Sequence, residues 1–166
     1  AVGYQALYNA THQHNDAFGY RAAFGNTGGY QNVAVGMYAL HGNTTGTLNT
    51  AVGQFAMYNG ASTDYNTVVG NSAGYYINGS NAGNVAIGQG ALYGSATTAT
   101  AGSSNVAIGN NAGYRSASAG FNVIVGGNAG YNLNNSSRNV LIGYFQGYNL
   151  QSGNCNVLIG QPDNAT

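Results

Sequence analysis

The chain is 166 residues long and carries only three basic and three acidic side chains, for a net charge of zero. With no basic excess it lacks the electrostatic footprint of a nucleic-acid or anionic-membrane binder, so neither partner is expected. A hydrophobic content of 43% with 14 tyrosines does not fit a disordered chain, and Gly and Asn cut every apolar run well short of the roughly 20 residues of a membrane-spanning helix.

From the first residues onward a glycine recurs in a fixed context: Gly3, Gly19, Gly36, Gly53, Gly70, Gly88, Gly109, Gly126, Gly143 and Gly160. Subtraction gives intervals of 16, 17, 17, 17, 18, 21, 17, 17 and 17 residues. Such a period is the signature of one supersecondary unit copied and stacked. The repeat covers the whole chain, which predicts a single repeat domain over residues 1–166. The opening Ala1-Val2-Gly3 lies inside a repeat motif, so the chain is expected to be a fragment of a longer protein.

Taken in order, the copies preceding each marker glycine start at Asn15, Asn32, Asn49, Asn66, Asn84, Asn105, Asn122, Asn139 and Asn156. Asn84-Val85-Ala86-Ile87-Gly88 is typical. Each is a short β-branched run bounded by turn formers, which predicts a strand. The glycines argue against helices, at a cost of about 0.5–1 kcal/mol each in an element interior. A 17-residue rung has a contour of roughly 56 Å at about 3.3 Å per residue. Two short strands and two turns use that length, giving an all-β, parallel β-solenoid of about ten 17-residue rungs stacked about 4.8 Å apart. Stacked asparagines would form amide ladders, and the marker glycine would supply a positive φ or room at a corner.

Side chains on a strand alternate between faces, so the residues one and three before the glycine share a face and the residue between them points the other way. The intervening positions hold Ala34, Ala51, Val68, Ala86, Ala107, Ile124, Leu141 and Leu158. Both faces are therefore apolar, as in a strand buried on both sides. A thin coil has an inside for only one of them. The intervening row is thus predicted to be the interface of a homo-oligomer, bulkier toward the C-terminus; the alternative is an interior wide enough to use both faces. Contiguous exposed apolar rows usually mark an interface.

The rest of each rung is permissive, and both changes in repeat length fall there. Insertions in solenoids map to loops, often on the binding face, so the longer loop, 95–104, is the first candidate for recognition. Five residues after the glycine the side chain is usually aromatic, as in Tyr58, Tyr75, Tyr93, Tyr114, Tyr131 and Tyr148. This row either closes the rungs as a packing ladder or binds sugars through aromatic faces with polar tips.

Catalytic chemistry has little material. Asp16, Asp64 and Asp163 lie in distant rungs, whereas general acid–base catalysis needs convergent groups. His12 and His14 are the one pair with metal-ligand spacing, but nothing else around the pair matches a metal site and loop histidines are the simpler reading. No cofactor is expected. The single cysteine, Cys155, excludes an intrachain disulfide and reads as a small half-buried residue.

Two stretches, Asn-Thr-Ala-Val-Gly-Gln-Phe-Ala-Met-Tyr (49–58) and Asn-Val-Ala-Ile-Gly-Gln-Gly-Ala-Leu-Tyr (84–93), resemble the head repeats of trimeric autotransporter adhesins and, more strongly, the repeats of many bacteriophage tail fibres. The resemblance extends over essentially the whole chain, although this rung is somewhat longer than the usual adhesin-head repeat. It implies a left-handed parallel β-roll, a homotrimer, and attachment to a host cell or surface through a glycan or protein receptor. The expected protein is therefore a non-enzymatic extracellular fibre segment, on a virion or a bacterial surface. The alternative is a structural subunit of a self-assembling extracellular filament or matrix. Ice binding ranks last, because a regular threonine row is missing and only Thr50 and Thr67 stand near the strand glycines.

Overall fold

Each repeat contributes one three-residue strand, and the nine strands pair in parallel in chain order. They are β1 (Asp16–Phe18), β2 (Val33–Val35), β3 (Thr50–Val52), β4 (Thr67–Val69), β5 (Val85–Ile87), β6 (Val106–Ile108), β7 (Val123–Val125), β8 (Val140–Ile142) and β9 (Val157–Ile159). The computed structural model describes residues 1–78, 83–95, 102–116 and 120–160. These residues form a parallel β-solenoid of about eight turns with no helix. Equivalent residues of successive repeats pair throughout, as in Ala34↔Ala51 and Val35↔Val52. The longer repeats keep this register: Ala86 pairs with Val68 on one side and Ala107 on the other.

The marker glycines turn the corner after each strand with φ between +122° and +139°. A side chain is excluded there twice over. The backbone conformation is one that L-residues avoid, and a β-carbon on Gly36 would stand 2.6 Å from the carbonyl oxygen of Gly53 in the next rung. Two tandem turns follow, closed in the Gly36 rung by Ala39 N–H donating to the Gly36 carbonyl (3.2 Å) and Asn43 N–H to that of Leu40 (3.2 Å). Alternate residues here, such as Tyr38 and Leu40, have φ near +55°. Their N–H groups bond the rungs below and above instead: Tyr38 to the Tyr20 carbonyl and Leu40 to that of Ala56, both at 2.9 Å. A second strand per rung, expected from the contour length, is therefore replaced by turns that still hydrogen-bond from rung to rung.

Asparagine closes the opposite corner. Asn32 accepts at Oδ1 from the backbone N–H of Asn49 (3.0 Å) and from its Nδ2 (3.1 Å), and donates through its own Nδ2 to the Gly46 carbonyl (2.8 Å). The same two-bond step links each of the nine asparagines to the next, from Asn15 to Asn156. Six of them, from Asn32 to Asn122, and Asn139 are buried. Buried amides that satisfy one another in a chain polarise cooperatively and hold the turn to one geometry.

The row predicted to form the oligomer interface lies inside the coil instead. Ala34, Ala51, Val68, Ala86, Ala107, Ile124 and Leu141 are completely buried within the single chain, and Leu158 is partly buried against the same core. The reason is parity: the inward asparagine stands two residues before each of them, and residues two apart share a face. The bulk that increases toward the C-terminus fills space opened by glycine across the core. A β-carbon on Gly130 would stand 3.0 Å from Cδ1 of Leu141, whereas Leu40, at the equivalent position of its rung, shares the core with the small Ala34 and Ala51. Cys155, expected to be half-buried, is exposed.

Candidate binding surface

With the intervening row inside, the residues one and three before each glycine face outward. Val35, Ile87, Ile108 and Ile159 on one column and Val123 and Val157 on the other are exposed, and the remaining members of both columns are mostly half-buried. Beside them, two residues earlier, stand Leu48, Tyr65 and Phe121, also exposed. Phe121 is 61% exposed. The face measures about 40 Å by about 15 Å, or roughly 600 Å², from strand spacing and rise. The only charged residues among these outward columns and their flank are Asp16 and Arg138. This is the second apolar face anticipated from the alternation, with its residues exchanged.

The aromatic row forms an unbroken stack. From His41 through Tyr58, Tyr75, Tyr93, Tyr114, Tyr131 and Tyr148 the ring centroids are 4.7–5.1 Å apart with interplanar angles of 7–26°. Tyr8 and Phe24 extend it to the first rung. Every interior ring thus has both faces covered by its neighbours, and what it presents outward is an edge. The row is a packing ladder, and sugar stacking on the faces of Tyr58 to Tyr131 is sterically excluded. Burial, followed by neighbouring tyrosines, raises the phenols of Tyr75, Tyr93 and Tyr114 above their ordinary value. Burial, and secondarily Arg21, lowers the His41 imidazole below its own.

A further feature was not anticipated from the sequence. Two residues after each marker glycine the column runs Tyr38, Phe55, Ser72, Gly90, Asn111, Asn128, Phe145. The aromatic members pack on the ladder: Phe55 lies edge-on to Tyr58 with centroids 5.7 Å apart, and Phe145 against Tyr148 at 5.0 Å. In the four rungs between, that cover is missing and a groove of about 280 Å³ opens. Its floor is Tyr93, Tyr114 and Tyr131, and its walls are Asn71, Ser72, Gln89, Gly90 and Asn111. The signal was present as a run of small and polar residues at one repeat position, but it shows only when that column is read down the stack.

His12 and His14 lie in an exposed segment, with His12 Nδ1 3.0 Å from the Thr11 hydroxyl. Among the described residues no three His, Cys, Asp or Glu side chains come together as a metal site. Asp64 serves the rung contacts, accepting from the Thr47 N–H (2.7 Å) and hydroxyl (3.0 Å); Asp163 lies outside the described residues. Of the loop 95–104, residues 96–101 likewise lie outside them. No helix among the described residues is long and apolar enough to cross a membrane. Compared with protein-family models, characterised proteins and solved structures, the chain matches none.

Proposed function

We propose that this chain is a segment of a non-enzymatic extracellular fibre, of the bacteriophage tail-fibre or surface-adhesin type, that assembles as a homotrimer and attaches its bearer to a host cell or surface. The observation that carries the reading is the nearly uncharged face of valine and isoleucine columns running the length of the solenoid. Its roughly 600 Å² approaches the ~800 Å² per partner of a standard stable interface. A partner matching ridges that recur at every rung must itself repeat at the same axial spacing, and further copies of this chain do so by construction. Association through this face gives a stiff rod whose stability sums over rungs and their neighbours, leaving the tyrosine side outward for contact with a surface. Three-fold symmetry rests on the resemblance to fibre repeats.

Light scattering coupled to size exclusion tests the assembly, together with adhesion of the labelled protein to host cells. The wild type is expected at three times the chain mass. Ile108→Lys, which places a charge in the centre of the face, is expected to yield folded monomer with adhesion sharply reduced. A folded wild-type monomer at high concentration would overturn the reading, and open-ended polymers in micrographs without adhesion would replace it with the filament alternative.

A further inference from the structure

From the groove geometry we infer that the rungs between Phe55 and Phe145 form a binding site for a linear, neutral oligosaccharide lying along the solenoid axis. This rests on the attachment reading above and assigns it a ligand class and a location. No charged side chain lines the groove, although the Arg115 guanidinium carbon lies 5.8 Å from the Tyr131 ring centroid, so the lining itself offers no ion pair to phosphate, carboxylate or ammonium groups. Its walls are amides with spare capacity. Asn110 Nδ2 donates to Gln89 Oε1 (3.0 Å), leaving Gln89 Nε2 without a partner among the described residues. Asn111 Nδ2 reaches Asn110 Oδ1 (3.2 Å) and Asn128 Oδ1 (3.3 Å), leaving the Asn111 Oδ1 without a donor among the described residues. The hydroxyls of Tyr93, Tyr114 and Tyr131 likewise bond no described residue. Amides and phenols that both donate and accept match sugar hydroxyls, which do the same.

The spacing selects the ligand further. The groove tyrosines repeat at 4.7 Å and 5.0 Å, close to the advance of one pyranose unit in an extended chain, so each rung meets one sugar in the same way. An extended peptide repeats its side-chain direction every ~6.6 Å and falls out of step within two rungs. The ring edges and the shallow form of the groove suit a ligand that stays partly in water.

Gly90 supplies the decisive variant. Its φ of +64° is close to the +57° of Phe55, so Gly90→Phe is compatible with the local backbone. A β-carbon there meets first the Asn111 Oδ1, at 2.5 Å, the end of a side chain that can swing aside. The experiment is calorimetric titration of the assembled protein with neutral linear oligosaccharides of the cello-, chito-, malto- and manno- series, beside the cell-adhesion assay. Wild type is expected to bind at least one series saturably. Gln89→Ala and Asn111→Ala should each weaken that binding about tenfold, as for loss of one hydrogen bond, and Gly90→Phe should abolish it with the unfolding midpoint retained. No binding of any series, undiminished binding by Gly90→Phe and by Gln89→Ala, or capture of extended peptides alone would overturn the site. If adhesion survives that result, the attachment reading stands with its recognition elsewhere; if wild type fails to adhere at all, that reading falls on its own.

Discussion

The carbonyl oxygen of Gly53 lies 2.6 Å from the place a β-carbon on Gly36 would occupy, in a backbone held at φ +129°. Two neighbouring rungs therefore touch through bare backbone, and the same relation recurs up the column. Gly36→Ala is expected to destabilise the protein by about 3 kcal/mol or more, combining ~1–3 kcal/mol of backbone strain with a forced displacement of the next rung. Gly127→Ala is the control: its β-carbon would meet only the Tyr144 ring, at 3.3 Å, and its cost should stay within about 1 kcal/mol. Denaturant unfolding of the two variants decides the matter.

Removing a link from the asparagine ladder should cost according to depth. Asn66 Oδ1 accepts both the backbone N–H of Asn84 (3.0 Å) and its Nδ2 (3.1 Å). Asn66→Ala orphans two buried donors at about 1–3 kcal/mol each, so a loss of roughly 3 kcal/mol is expected. Asn15→Ala, at the first step of the ladder and only half-buried, should lose about 1 kcal/mol. Equal losses at both sites in thermal unfolding would show that the ladder adds nothing beyond single bonds.

The opposition of Gly130 and Leu141 makes a double-mutant prediction. Leu141→Ala empties a fully buried site and should cost about 2–5 kcal/mol. Gly130→Leu alone overpacks the same space, at about 1–3 kcal/mol. Its φ of +55° is close to the +54° of Leu40, so the backbone accepts the change. Combined, the two should recover at least ~1 kcal/mol relative to their sum. Strict additivity in denaturant unfolding would mean that these side chains do not share the cavity.

The aromatic ladder should limit stability at both ends of the pH scale. The folded protein holds His41 below its ordinary value of 6.5, so below that value the unfolded chain binds the proton more readily. Its contribution is therefore full above about pH 6.5 and is lost as pH falls through the lowered folded value. The phenols of Tyr75, Tyr93 and Tyr114 are raised above 10.0, so their contribution is full below pH 10 and lost as pH rises through the folded values. His41→Tyr, continuing the stack between Phe24 and Tyr58, is expected to flatten the acid limb while leaving the alkaline limb. Unfolding midpoints measured across pH report both limbs.

Much of this architecture was legible in the residues because repetition translates directly into columns. Glycine at a fixed phase announced a corner, asparagine four residues earlier announced a ladder, and a constant register followed from a constant period. The inward face was harder. Val35 and Ala34 are both apolar, and alternation alone does not say which points inside. A signal was available: an asparagine that must be satisfied inward shares its face with the residue two places on, and the prevalence of alanine there marks a cramped interior. Cys155 gave no such cue, since its exposure depends on where the rung turns.

The groove, too, arises only from stacking. Gly90 and Asn111 are unremarkable in a chain rich in both residues, and only stacking places them between Phe55 and Phe145. Covalent order by itself determined the repeat length, the strand positions and the identity of the stacked columns, because these depend on local chemistry multiplied by a period. Coil closure decided the rest. Which side of each strand met the core, and which tyrosine edges stayed open, depends on how far the turns carry the chain around before the next rung begins.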